Sequence, residues 1–547
     1  MIVNSLTLSN FKGIGDPVTI DFKPVTLLFG PNSAGKSTIF QALHYAHEIF
    51  ERANLDPDAT LSGGRGLDLG GFTNLIHNHD ISRPVTLRFD FDLQGEDLPE
   101  YRDWVDDDIG PIHYFESDLY GIPARAKSGW VEIAIQWSSM AEQPILSTYS
   151  VGLNGQKLAA IKTSEDGRQT YLTDFHMLHP IFREPDTDDE VRAILKRAMA
   201  DNELQDVEKL GPMFPLFLTF QQADDGSVNI DSPLSIAGQK RTALPVWGKS
   251  LAFDHETLSD SVDYDSRTIF TAVASSLIVG PGELLRDALR KFKYIGPIRE
   301  IPSRNFRSVR SPDASRWANG LAAWDLLHHA SPVLIDRLNE WVAGRERLDT
   351  GYRMELKRYK EMDITSPQMI ALEQGDVLDE IESIDSDLKR LPVKTRLAIR
   401  DAISDIELKP QDIGVGISQL LPIVVAALAT EDGMVAMEQP ELHIHPALQV
   451  ALGDLFIHRV KEREVCFLIE THSEHLLLRF LRRIRETTAN ELPTDVDGLS
   501  PEQLSVLFVK KSGTGVEATQ LKVDETGEFE DEWPDGFFEE RDGELFF

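Results

Sequence analysis

Val25-Thr26-Leu27-Leu28-Phe29-Gly30-Pro31-Asn32-Ser33-Ala34-Gly35-Lys36-Ser37-Thr38 is the stretch on which the reading of this chain turns. An apolar strand, Val25–Phe29, runs into Gly30-x-x-x-x-Gly35-Lys36-Ser37, and a helical pattern follows from Lys36 to about Arg52. A strand, this glycine spacing and then a helix form the context of a phosphate-binding loop. Glycines let backbone N–H groups converge on phosphate oxygens, and the helix start adds its unpaired donors and the positive end of its dipole. A lysine at Lys36 reaches the outer phosphates, and the hydroxyl of Ser37 is a magnesium ligand. Gly30, Asn32, Ser33, Gly35, Lys36, Ser37 and Thr38 are therefore the expected nucleotide contacts, with ATP and Mg2+ as the expected cofactors.

Working outward, strand-like segments Ser5–Leu8 and Val18–Phe22 precede the loop, and Val85–Leu93 alternates apolar and polar residues as a strand does. Between about 100 and 290 the pattern is mixed. It includes an acidic run (Asp103, Asp106, Asp107, Asp108), strands near Trp130–Trp137 and Ser147–Leu153, and a helix around Asp189–Ala200. Residues 317 to 405 read as helical, with charged faces over Leu326–Trp341 and Leu378–Ile403. After Pro410 the chain alternates again: a glycine turn and helix (Gly414–Leu428), an apolar strand (Met434–Met437), a helix (Pro446–Val460), a strand (Val465–Ile469) and a helix (Glu474–Thr487). A phosphate loop needs a carboxylate at a neighbouring strand end to hold the metal's water shell. Met434-Val435-Ala436-Met437-Glu438 offers one, so Glu438 joins Ser37 on the expected metal side.

Composition narrows the partners. The 547 residues carry 55 basic and 90 acidic side chains, a formal charge of −35 that repels a polyanion at long range. Two basic clusters stand out against it, Arg286–Arg316 and Arg479–Arg485, each open to two readings: ion pairs with the acidic excess, or local nucleic-acid contact. No apolar run is expected to reach the roughly 20 residues of a membrane span. The start of the chain lacks the layout of a signal peptide, and Cys466 is the one cysteine, so a reducing cytoplasm is the expected setting.

The loop with Asn32, the segment Glu438-Gln439-Pro440-Glu441-Leu442-His443-Ile444-His445-Pro446 and Glu470-Thr471-His472-Ser473 resemble the ABC/SMC-type ATPases. Within them the chain resembles the overcoming-lysogenisation (OLD)-like branch of AAA ATPases, and there the PtuA-like subunit of Septu and retron-associated antiphage systems. Tyr294-Ile295-Gly296-Pro297-Ile298-Arg299, Ile413–Pro422 and Trp533–Phe538 add to the likeness, which covers about 1–95 and 290–547. It implies an α/β ATPase head divided along the sequence. Residues 1–99 would be its N-terminal lobe, 100–290 an insertion, 291–405 a helical region, 406–523 a C-terminal lobe and 524–547 an acidic aromatic tail.

The resemblance also implies two heads sandwiching two nucleotides, so the chain's partners would include itself. Gly414, Gly416 and Ser418 would face the second chain's nucleotide, although the usual signature places its serine before two glycines, which leaves the register open. His472 would be the switch histidine near the γ-phosphate. Gln439 is the departure. ABC-type ATPases carry a catalytic glutamate there, and glutamine cannot accept a proton; losing a general base typically costs roughly 10²–10⁴ in rate. Gln439, Glu441 and His472 are thus the catalytic candidates, Glu441 or His472 standing in as base, and slow turnover is expected.

No nuclease centre is expected within the chain. Asp495-Val496-Asp497 reads as a polar loop, and His77-Asn78-His79 as a loop whose letters match the HNH name by coincidence. His443/His445 and His472/His475 lack further ligands for a tetrahedral metal site. The likeness then implies a separately encoded HNH nuclease partner. The alternative is an SMC/RecF-like repair ATPase touching DNA through Arg286–Arg316; an ABC-transporter ATPase fits the long middle region poorly.

Overall fold

The computed structural model describes residues 1–60, 68–101, 121–176, 178–183, 234–239, 241–253, 264–366, 369–370, 389–462, 464–513 and 515–534. The chain forms two compact units: Met1–Phe292 with Ser505–Lys522 and Asp531–Phe547, and Lys293–Leu504 with Val523–Glu530.

In the first unit, β1 (Ile2–Ser9), β2 (Val18–Asp21) and β4 (Val85–Asp92) share one sheet with β5 (Ser128–Ser138), β6 (Gln143–Leu153), β7 (Gln156–Thr163), β8 (Thr170–Thr173) and β9 (Leu234–Ile236). Its order is β2-β1-β4-β5-β6-β7-β8-β9, and every adjacent pair is antiparallel. The alternation in β4 does its expected work, burying Val85, Leu87, Phe89 and Phe91 while Thr86, Arg88 and Asp90 stay half-exposed. The stretch expected as an insertion adds its strands to this same sheet. β5 takes up the open hydrogen-bonding edge of β4, Val85 to Ile135 through Asp92 to Ser128, and the sheet simply continues. The acidic run at 103–108 and the helix expected at 189–200 lie outside the described residues.

β3 (Val25–Phe29) is wholly buried and neighbours β16 (Leu504–Ser512), which pairs antiparallel with β17 (Gly515–Leu521). Trp533 sets its ring edge-on against Phe29, at 5.5 Å and 86°, and against Phe508, so the tail docks at this residue. Phe537 and Phe538 lie outside the described residues. Among the described residues three α-helices complete the unit: α1 (Lys36–Arg52), the short α2 (Gly71–Leu75) and α3 (Tyr264–Arg290). α3 corrects one expectation, since Thr268–Arg290 is long and apolar enough to span a bilayer. Here that composition serves a core. Phe270, Val273, Leu277 and Ile278 are buried, the helix packs on α1 and β5, and Tyr149 Oη donates to the Ile278 carbonyl.

The second unit centres on three parallel strands in the order β10 (Lys293–Ile295), β14 (Asp432–Glu438) and β15 (Glu464–Glu470). Around them run α4 (Ser315–Ala318), α5 (Leu321–His328), α6 (Pro332–Ala343), α7 (Val415–Ala429), α8 (Pro446–Glu462) and α9 (Glu474–Thr488). The end of α7 is pinned by Arg459 of α8, whose fully buried guanidinium donates to the Ala427 and Thr430 carbonyls and pairs with Glu462. Cys466 sits in β15 as expected, and burial pushes its thiol up to about 12, away from nucleophilic use.

The region 291–405 is not all helical. It opens with β10, carries helices only between Ser315 and Ala343, and then becomes β11 (Tyr352–Tyr359) and β12 (Lys394–Asp401), an antiparallel pair joined by β13 (Glu407–Leu408). The charged residues of 394–401 read like a helix face, yet their partners lie across strands. Arg400 pairs with Glu355, and Arg396 and Lys357 both pair with Glu407. Such cross-strand pairs are invisible without the register. The remainder of the expected helix, 378–388, lies outside the described residues.

Candidate nucleotide-binding site

The first unit builds the glycine loop expected to bind phosphate. β3 ends at Phe29, and Gly30 leaves it at φ 142°, where a side chain is strained and an added Cβ would stand 2.0 Å from the Val509 carbonyl oxygen of β16. Ser33 adopts φ 60°, and Gly35 caps α1 at φ 107°, where an added Cβ would stand 2.7 Å from Val516 Cγ2 of β17. The chain therefore reverses in the space of six residues between two walls of backbone and side chain, so glycine is obligatory at both ends. Asn32 and Ser33 are exposed at the crest, and Thr38 is buried in the first turn of α1. Lys36 is 4% exposed, and its Nζ curls back to donate to the carbonyls of Gly30 (2.8 Å) and Pro31 (3.0 Å). The ammonium is thus held over the loop by two weak neutral acceptors, which phosphate oxygens can outcompete.

The second unit gathers the remaining candidates at the C-terminal ends of its parallel strands. Register sets Glu438 of β14 directly beside Glu470 of β15. Tyr294, one strand over on β10, donates its hydroxyl to Glu438 Oε1 at 2.7 Å. Burial first, then the charges of Glu438 and Glu470, raises the Tyr294 phenol well above its ordinary value, so it remains a donor. The next residue, Gln439, takes φ 45° and anchors its N–H on the Glu470 carbonyl at 2.8 Å. Ser37 in the first unit and Glu438 in the second each offer oxygen, the ligand type magnesium takes.

Both oxygens of Glu441 accept hydrogen bonds. Its Oε2 accepts from Thr471 Oγ1 (2.9 Å) and its Oε1 from the His472 N–H (2.7 Å), so this carboxylate clamps the segment after β15. Burial pushes its pKa up, against the lowering effect of those donors. Glu441→Gln keeps an acceptor for the His472 N–H and is expected to cost under about 1 kcal/mol, whereas Glu441→Ala orphans two donors and should cost about 2–3 kcal/mol in urea unfolding. Equal losses for the two variants would contradict this clamp.

The signature candidates open α7. Gly414 is its N-cap, and Gly414 and Val415 are exposed. Gly416 lies against the turn after β14, where an added Cβ would meet the His443 carbonyl oxygen at 2.5 Å. Ser418 faces inward, fully buried, and its hydroxyl donates to the Pro410 carbonyl at 3.0 Å. The structure thus brings Glu438, Gln439, Glu441 and His472 into one cluster within the second unit, with Gly416 leaning on the same turn. Tyr294 and Glu470 were not singled out from sequence as site residues. Glu470 had the same sign as Glu438, an acid closing an apolar strand, but only the register shows that the two are neighbours.

Other candidates resolve into structure. In Arg286–Arg316, Arg286 pairs with Glu283 and Asp287, Arg290 with Glu51, Arg304 with Asp412 and Arg316 with Asp325, while Arg299 is buried. In the second cluster Arg479 and Arg483 share Asp454, Arg482 binds Glu486, and Arg485 donates to the Thr526 carbonyl. His77 and His79 hydrogen-bond the Lys12 and Thr73 carbonyls, and Asp497 meets His458. Among the described residues no group of three or more His, Cys, Asp and Glu side chains is placed to hold a metal ion.

Comparison with known families defines the class. Residues 5–91 match a family described as AAA domain, and residues 326–477 match one described as AAA ATPase domain. Both stretches are thus similar to AAA-type ATPase sequence, one holding the glycine loop and the other Glu438, Gln439 and His472. Residues 499–546 match a family described only as a protein of unknown function, DUF3696. No curated protein matches the chain. Similar solved structures include the SMC head domain from Thermotoga maritima (10% identical, TM-score 0.36, covering 96% of this chain and 100% of that one). Another is the Smc head bound to the C-terminal domain of ScpA, derived from Pyrococcus furiosus (11%, TM-score 0.37, 95% and 96%). Likeness at that level is too distant to bear on function.

Proposed function

We propose that this chain is a nucleotide-gated regulatory and scaffold ATPase, holding ATP with magnesium far longer than it hydrolyses it. The phosphate loop and Lys36 would bind the phosphates, with Ser37 and Glu438 holding the metal that neutralises them. One observation carries the slow-turnover reading: Glu441, the nearest replacement for a general base in the segment, spends both oxygens on Thr471 and His472. Gln439 can orient a water and cannot take its proton.

The test is phosphate release at saturating MgATP for wild type and Gln439→Glu. Restoring a carboxylate should raise the rate at least about tenfold. A fast wild type that gains nothing from the glutamate would sink the reading.

The resemblance to Septu-type subunits supplies what such a clamp would act on. In an antiphage complex it would restrain a separately encoded HNH nuclease and pair with a second copy of itself. The exposed start of α7, with Val415 56% exposed, is the surface such a copy would meet. Stable co-purification with a small nuclease encoded by a neighbouring gene is the expected result, and its absence under native expression would count against the scaffold role. The pairing of Arg286, Arg290, Arg304 and Arg316 weighs against direct DNA binding. The purified chain alone should show no salt-dependent DNA affinity that Arg304/Arg307 charge reversal removes.

A further inference from the structure

After β10 the chain turns through Gly296 and Pro297, leaves Ile298 77% exposed and drives Arg299 inward to 2% exposure. The guanidinium meets neutral partners. Arg299 Nε (3.2 Å) and its backbone N–H (3.1 Å) both donate to Gln419 Oε1, and Gln419 Nε2 donates back to the Arg299 carbonyl. Gln419 belongs to α7, one turn in from the exposed Gly414–Val415 start. On its other side Arg299 Nη2 donates to the Gln439 carbonyl at 3.2 Å. Gln439 is in turn held by its N–H on the Glu470 carbonyl. An unbroken chain of hydrogen bonds therefore runs from β15 through Gln439 and Arg299 to the signature helix, wholly within the second unit.

Packing alone explains this poorly. A buried cation costs several kcal/mol unless charges and acceptors answer it, and an apolar side chain of similar volume often serves stability as well or better. Arg299 has no carboxylate in contact among the described residues, and its Nη1 is buried without a hydrogen-bond partner there. Burial brings its pKa down to about 10, with only the more distant charge of Glu441 opposing that. What the arginine supplies is geometry. Its fork is the one side chain that can hold a helix amide and a strand-end carbonyl at once with fixed angles, which a lysine cannot do.

We propose that Arg299 is a positioning residue that couples Gln439 to α7, so that a change at the end of β14 on ATP binding shifts the start of the signature helix. This rests on the ATP-binding reading above. ATP would alter the setting of Glu438 and Gln439, the Gln439 carbonyl would move against Nη2, and the guanidinium would carry that displacement to Gln419.

The experiment follows hydrogen exchange of the Val415–Ser418 amides in the full chain, with and without MgATP, alongside ATP affinity by calorimetry. In wild type ATP should slow exchange at these amides at least about fivefold, the low end of usual coupling strengths. Arg299→Lys should erase that response while still binding ATP, since the phosphate loop belongs to the other unit. Gln419→Leu breaks the same link from the helix side and should do likewise, whereas Gln419→Glu keeps the acceptor and should retain the response. An unchanged response in both Arg299→Lys and Gln419→Leu, or a wild type that binds ATP with no response, overturns the proposal. So does a loss of response that merely tracks lost ATP affinity in both variants. A wild type that binds no ATP would instead overturn the nucleotide reading itself. If Arg299→Lys fails to fold, Gln419→Leu decides the matter alone.

Discussion

Lys36→Met should lower ATP affinity about a thousandfold, some 4 kcal/mol. The lysine sits 4% exposed above the loop, its Nζ bonded to the Gly30 and Pro31 carbonyls. Those bonds keep the ammonium aimed at the space the loop encloses before any nucleotide arrives, so little side-chain entropy remains to be lost on binding. Methionine keeps the length of the stem and removes the charge. Each charge-assisted bond to a phosphate oxygen contributes about 1.5–3 kcal/mol, and Lys36 has donors for two. Titration calorimetry with MgATP reads the loss directly. An affinity within tenfold of wild type would mean that Lys36 points elsewhere when nucleotide is bound, and the loop reading would fail with it.

Gly30→Ala should destabilise the first unit by roughly 3–5 kcal/mol, combining a strained positive φ with a severe overlap. The new methyl would stand 2.0 Å from the Val509 carbonyl oxygen, a backbone atom in the middle of β16 that cannot rotate away. Either β3 and β16 part or the loop shifts, and each outcome also spoils the cradle. Chemical unfolding should show the midpoint moved sharply, and ATP affinity should fall in parallel. Gly155→Ala is the control. It also has a positive φ, 82°, but lies in a hairpin with nothing within 4 Å, so only the strain of about 1 kcal/mol should appear. Similar losses at both positions would show that the clash with Val509 is relieved at no cost.

Much of this was legible in the order of residues alone. The strand, glycine loop and helix at 25–52, the acid closing an apolar strand at Glu438 and the glutamine after it are local patterns. Local patterns are set by backbone freedom, side-chain period and the chemistry each residue carries. They suffice to propose a phosphate loop and to mark Gln439 as a side chain that cannot accept a proton. The strand at 394–401, the continuation of the first sheet through β5–β9 and the burial of the long apolar helix α3 were not legible, because each depends on a partner distant in the chain.

The same division runs through the site. That Glu441 is a carboxylate near Gln439 was plain from spelling, but that both its oxygens are taken by Thr471 and His472 follows only once β14 and β15 lie in register. Arg299 stood in a quoted motif with no role. It gained one when folding placed Gln419, 120 positions along the chain, and Gln439, 140 positions along, against the two sides of its guanidinium. Sequence alone determined which residues could bind phosphate and which could not take a proton. Tertiary structure decided which polar groups are already committed to one another, because hydrogen bonds between distant segments are chosen by register and packing and leave no trace in local order.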